Sequence, residues 1–343
     1  MIIIKNSIFT FIFIFLFGCL EPNEENVWSV TEEAVLLTEG FCRNISINND
    51  LAYIAAGQSG VQVWDLNQEI KLHEFLGYTQ DGSYLEFDDI SLVQRDEHNE
   101  LIFVTETNKK VKVFRYGMDS DFLYRNEIMS DRTKDFISFH HAGNRFTMFV
   151  ADNDDGLKWG TYRPDTTTIP FEIINWMPLN GGEVATDGKP LGIDSDGESM
   201  VAMAVDQLGI EFYSIEDLGS EPVLTSKFDL DGNAEQVSLT SQGAFVSCDD
   251  FGAYFLSNEL INTGQGDVIG FAQDLTVDHI SVKQNIAVLS IGPKGIALYD
   301  ISDPINPEAR GIFDVGYVYR SQFWNDKLLL CTRSGLRILT INS

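Results

Sequence analysis

Short apolar runs alternate with turn residues along most of this chain, and no segment keeps a 3.6-residue apolar period, so strands are expected and little helix. The most regular signal is a small residue followed by alternating positions. It reads Gly60-Val61-Gln62-Val63-Trp64, then Lys110-Val111-Lys112-Val113-Phe114, Gly156-Leu157-Lys158-Trp159 and Gly209-Ile210-Glu211-Phe212-Tyr213. Three more copies follow at Gly252-Ala253-Tyr254-Phe255-Leu256, Gly295-Ile296-Ala297-Leu298-Tyr299 and Gly335-Leu336-Arg337-Ile338-Leu339. A period of two after a turn glycine marks a strand leaving a tight turn.

A second element precedes each copy: Ile45-Ser46-Ile47, Ile90-Ser91-Leu92, Ile137-Ser138-Phe139, Ile193-Asp194-Ser195, Val237-Ser238-Leu239, Ile280-Ser281-Val282 and Ser321-Gln322-Phe323. An apolar strand such as Leu51-Ala52-Tyr53-Ile54-Ala55 lies between the two elements, and a fourth such as Ile70-Lys71-Leu72-His73-Glu74-Phe75 comes after them. Four strands repeated seven times predict an all-β fold, a seven-bladed β-propeller of four-stranded blades. The blades are expected to start near residues 43, 88, 135, 191, 235, 278 and 319. A six-bladed ring with one degenerate repeat, or a pair of β-sandwiches, is the alternative; the matching registers favour seven blades. The seventh repeat has only three strands before Ser343, whereas Ala34–Phe41 precedes the first. Residues 34–41 are therefore expected to supply the outer strand of the last blade, close the ring and cover an exposed edge.

The first residues stand outside this pattern. Met1–Leu20 has one charge at Lys5, an apolar run from Ile8 to Phe17, and then Gly18-Cys19. That is the layout of a secretory signal peptide. The run is short for a helix spanning a bilayer about 30 Å thick, the alternative reading. Leu16-Phe17-Gly18-Cys19 resembles a bacterial lipobox, which implies acylation of Cys19 after removal of residues 1–18. Residues 19–33 would form an acidic tether and 34–343 a single propeller domain.

Charge sharpens this picture. The 343 residues carry 23 Lys and Arg against 52 Asp and Glu, a formal charge of −29. Phosphate backbones and anionic headgroups would repel such a chain, which argues against nucleic acid and leaves the lipid as the only membrane contact. With 4 Cys and 5 His there is little material for a disulfide scaffold or a Cys/His metal centre. Cys42, Cys248 and Cys331 sit in or beside apolar strands and are expected to be buried.

Tyr299-Asp300-Ile301-Ser302-Asp303-Pro304-Ile305-Asn306-Pro307, followed by Gly311, resembles the signature of LVIVD-repeat proteins. Blade 1 is similar through Leu51–Ala55 and Gly60–Leu66, while blades 2, 3 and 5 lack the Asp-Pro element. The resemblance implies an exported bacterial or archaeal propeller, surface-associated and with no assigned catalytic activity.

In a propeller the first strand of each blade lines the central channel. Ser46, Ser91, Ser138, Asp194, Ser238, Ser281 and Gln322 are expected to line it. Two positions earlier, Asn44, Asp89, Phe136, Gly192, Gln236, His279 and Arg320 would surround its mouth; all but Gly192 are ligand candidates. The acidic turns beginning at Asp152, Asp194 and Asp229 offer oxygens beside a glycine, so calcium is conceivable. None completes an EF-hand loop, and Asp-Gly is also a default hairpin turn. His140-His141 is a weak metal motif, because adjacent strand residues face opposite ways. No nucleophile elbow, zinc-protease or phosphate-loop motif occurs. The expected function is a monomeric, lipid-anchored module of the bacterial cell envelope that binds a surface protein or glycan without a cofactor. The alternative is a hydrolase or lactonase with a cation at the mouth, using Asp89, His279 and Asp194. The insertion from Asp165 to Gly188, carrying Trp176 and Met177, is the expected partner-contact loop.

Overall fold

The computed structural model describes residues 27–343 except 118, 120, 129, 169 and 170. The predicted signal peptide, Cys19 and most of the predicted tether lie outside the described residues. Seven four-stranded antiparallel sheets follow one another, and in the first six the strands run in chain order from the channel outward. Their first strands are Asn44–Asn48, Ile90–Asp96, Thr133–His141, Gly192–Ser195, Gln236–Leu239, His279–Lys283 and Val318–Trp324. The seventh sheet takes its fourth strand from the other end of the chain. Ser29–Leu36 pairs with Gly335–Asn342, from Ser29 opposite Asn342 to Leu36 opposite Leu336. The ring closes as expected, but this strand begins and ends five residues earlier than the predicted 34–41. The eight-residue partner offers pairing as far as Asn342, and past Leu36 the chain bends, with Glu39 at φ 62° and Thr38 Oγ1 donating to the Gly40 carbonyl.

The recurring glycine has a steric cause. Gly60 has φ +72°, and a Cβ there would lie 2.0 Å from the carbonyl oxygen of Phe75 at the end of the fourth strand. Gly335 has φ +127°, and its Cβ would lie 2.1 Å from the Leu36 oxygen, so the closing strand of blade 7 is held like its covalently continuous counterparts.

Apolar side chains gather in seven clusters, one at each junction between neighbouring blades. Successive side chains on a strand point to opposite sheet faces, and in a propeller both faces meet another blade. The middle strands are consequently buried throughout, as in Leu101–Glu106. One short helix, Asn258–Thr263, interrupts blade 5; Ser257 caps its start, and Leu260 and Ile261 pack into the core between blades 4 and 5. An extra hairpin, Gly77–Gln80 with Ser83–Glu86, joins blade 1 to blade 2 and buries Tyr78 against Phe87 and Phe114. Among the described residues no helix is long and apolar enough to cross a membrane.

Candidate binding site at the channel mouth

The first strand of each blade is the sheet edge facing the axis, so its backbone groups lack a fifth strand to pair with. Side chains from the preceding blade fill that need. Asn44 Oδ1 accepts from Val93 N at 3.0 Å, and Ser46 Oγ accepts from Arg95 N at 3.0 Å. Gln94 bonds both backbone groups of Ser138, accepting from its N at 2.8 Å and donating to its O at 3.0 Å. Asp194 Oδ2 accepts from Leu239 N at 2.8 Å, and His279 Nδ1 accepts from Ser321 N at 3.5 Å. Ser281 and Ser321 share a hydroxyl bond of 2.7 Å. The column of small polar residues thus ties blade to blade around the axis.

Two cavities of about 380 and 350 Å³ run along the channel and share Asn44, Gln236, Arg320 and Gln322. Ser46, Asp194, Ser238, Ser281 and His279 line one or other of them. Ser138 lies at the opposite end of these strands, in a cavity with His98 and His140. Ser91 donates to the Thr105 carbonyl at 3.2 Å and lines neither channel cavity.

Two predicted mouth residues are placed differently. Asp89 precedes the first strand of blade 2 and lies in a separate cleft with Arg43 and Gly57. Its carboxylate meets Arg43 at 3.5 Å and accepts from Thr107 Oγ1 at 3.2 Å. Phe136 reaches the channel wall but packs in the core between blades 2 and 3, with 8% of its surface exposed. The cause is register: Asp135 stands opposite Ala151 as Asn44 stands opposite Ala55, so the polar position of blade 3 falls one residue before Phe136. Asp135 takes the polar position instead, an assignment that sequence spacing missed. Its Oδ2 accepts from Gln236 Nε2 at 2.8 Å and stands 3.5 Å from Arg320, so blades 3, 5 and 7 are linked across the channel. The one available signal was a carboxylate directly before an aromatic residue in a segment where other repeats place one polar group.

Burial sets the charge states here. It pushes the Asp194 carboxyl up to about 6, against two backbone N–H donors that favour the charged form. It also holds the His279 imidazole well below the ordinary histidine range, assisted by the Arg320 charge. Beside the mouth, burial and then Asp249, Asp278 and Asp206 push Glu235 up to about 7.

The other predicted features fall into structural roles. Asp152 accepts from Asp131 N, Arg132 N and Ser130 Oγ, and Asp196 accepts from three backbone N–H groups of its own turn. His140 packs on His98 of blade 2 with ring centroids 3.6 Å apart, whereas His141 bonds Thr147 on the other face. Among the described residues no group of three His, Cys, Asp or Glu side chains is arranged to hold a metal ion. Cys42, Cys248 and Cys331 are free thiols and fully buried. The insertion after Asp165 is a long hairpin rather than a loop. Its Trp176 turns inward onto Phe146 and is 2% exposed, while Met177 remains 41% exposed.

No family model and no curated protein matches this chain. Among solved structures it is similar to the computationally designed Ika8 protein, with a TM-score of 0.61 and 12% identity over 90% of this chain and 99% of the designed one. At that identity the likeness shows the fold alone.

Proposed function

We propose that the chain is an exported, lipid-anchored propeller of the bacterial cell envelope that binds a surface protein or glycan at its channel mouth, as a monomer and without catalysis. One observation carries the reading. The ionisable groups that could do chemistry there, Asp194 and His279, are already committed to backbone N–H groups of the next blade. Arg320 and Gln322 then supply the polar surface that a visitor would meet. The layout of residues 1–20 supports export, and the Asp-Pro element after Tyr299 supports kinship with LVIVD-repeat propellers. A mouth lined by donors and acceptors of both signs suits recognition of a polar surface.

The test has two arms. Labelled palmitate should enter the wild-type chain and not Cys19→Ala. An immobilised domain should retain one envelope component that an Arg320→Ala domain does not. Equal retention by both domains would refute the mouth as the binding site. Hydrolysis of lactones or phosphoesters on addition of calcium would replace the reading with a catalytic one.

A further inference from the structure

Residues two apart on a strand share a face, so each inner strand presents a short column of side chains to the channel. In blade 7 these are Arg320 and Gln322, and in blade 6 they are His279, Ser281 and Lys283. Ser238 of blade 5 joins them in the cavity of about 380 Å³, within the range of small-molecule sites. Glu235 and Asp278, the acids beside the mouth, directly precede the inner strands of their blades, whereas Lys283 ends its own. The cavity therefore extends from the mouth toward the end remote from those acids.

The wall is rich in donors that the protein does not use. Arg320 donates no hydrogen bond among the described residues; its one ion pair is with Asp135 at 3.5 Å, and 23% of its side chain stays exposed. A guanidinium carries five N–H donors in a planar fork that matches a carboxylate bidentately. Gln322 and Ser238 are half-buried and make no side-chain hydrogen bond among the described residues. Ser281 and Ser321 share one bond of 2.7 Å, which leaves one hydroxyl proton of the pair unused. Lys283 donates to the Asn325 carbonyl and lies over the Phe323 ring. Among the described residues Asp194 is the one carboxylate of this wall, and its oxygens accept from Ser195 N at 2.9 Å and Leu239 N at 2.8 Å. Two cations thus stand against one carboxylate here, in a chain whose formal charge is −29.

We propose that this part of the channel binds the carboxylate of a small hydroxy acid, which in sugar form is a uronic acid. The Arg320 fork takes the carboxylate, and Ser238, Ser281 and Gln322 take the hydroxyls, which both donate and accept. A monoanion balances the single surplus positive charge. A phosphate dianion would leave one charge unmatched between Asp135 and Asp194. The inference rests on the channel being the binding site, as proposed above, and names the chemical group read there.

Isothermal titration of the full chain with glucuronate, glucose and inorganic phosphate at neutral pH tests the proposal. Glucuronate should bind more tightly than either of the others. Arg320→Gln should weaken it about tenfold or more, the cost of a lost hydrogen bond to a charged group. Arg320→Lys keeps the charge without the fork and should fall between wild type and Arg320→Gln. Gln322→Ala, which gives up no internal hydrogen bond, should weaken glucuronate as well and carries the test where Arg320→Gln does not fold. Lys227→Ala, on the surface of blade 4, should leave binding unchanged, and thermal melts report whether each variant folds. No glucuronate bound at millimolar concentration, equal affinity for glucose, tighter binding of phosphate, or unchanged affinity in every folded channel variant would overturn it. An envelope component that Arg320→Ala fails to retain, but that excess glucuronate does not displace, would overturn this inference and leave the mouth reading standing. Glucuronate binding with no component retained would do the reverse.

Discussion

Asn44 of blade 1 accepts the backbone N–H of Val93 in blade 2, and the same relation links Asp194 to Leu239 across the junction of blades 4 and 5. Propeller blades are commonly viewed as held by apolar faces alone. Here the polar residues at the axis add a second fastening, because each inner strand is an edge whose N–H groups need acceptors. Asn44→Leu should leave the Val93 N–H buried and unsatisfied, at a cost of about 1–3 kcal/mol in urea unfolding. Asn44→Asp retains the acceptor and should cost less. Equal losses in the two variants would show that packing, not the hydrogen bond, is what Asn44 supplies.

Closure should be worth far more than one such bond. Leu36 is 3% exposed and packs with Leu336 in the cluster that joins blade 7 to blade 1. Leu36→Ala is expected to lose about 2–4 kcal/mol. Deleting residues 27–37 removes the whole fourth strand and opens an edge. That variant should aggregate or melt without a cooperative transition. A deletion variant with the wild-type melting curve would mean that the three-stranded seventh blade is self-sufficient.

The seven blades were legible because the glycine ahead of the third strand in six of them answers a recurring constraint, a close approach of the fourth strand that leaves no room for a Cβ. Blade 2 has Lys110 there and was still recognised, since its alternation Val111-Lys112-Val113 survives. What escaped is what depends on a single residue of register. The inner strands of blades 2 and 3, each with a bulge near its start, bring other side chains to the axis than the spacing predicts, and nothing in local composition marks the offset. The inward turn of Trp176 in the blade 3 hairpin escaped for another reason. It depends on Asn126 of blade 2, distant in sequence, which bonds both backbone groups of Trp176.

The three described cysteines should be chemically silent in the folded state. Burial pushes the Cys248 thiol up to about 12, and burial followed by the neighbouring Cys331 thiol pushes Cys42 up well above the ordinary thiol range. Cys42 and Cys248 therefore hold little thiolate at neutral pH, and all three side chains are fully buried. A disulfide-exchange chromophore should titrate none of these three thiols in native protein and all three in guanidinium. Rapid reaction of one of them before unfolding would contradict their burial.

Glu235 should contribute most to stability on the acid side of neutrality. Glu235 has an ordinary value of 4.5 when unfolded and about 7 when folded, so the native state holds its proton more tightly. The stabilisation is complete below pH 4.5, declines as pH rises, and is gone above about 7. Asp194 acts in the same direction between 3.8 and about 6, and the raised carboxyl of Asp278 adds to it. Asp152 and Asp196 oppose this trend only in stronger acid. Burial would raise both, but backbone N–H donors hold them below 3.8, and the stability they supply is lost as pH falls through their folded values. His279 works the other way: its folded value lies well below 6.5, so the stability it supplies is present above 6.5 and is lost as pH falls. Glu235→Gln should stabilise the protein at pH 8 by about 1–2 kcal/mol, discounted because solvent screens a half-exposed carboxylate. The gain should vanish at pH 4. A Glu235→Gln variant equally stabilised at both pH values would place the effect in packing rather than in charge.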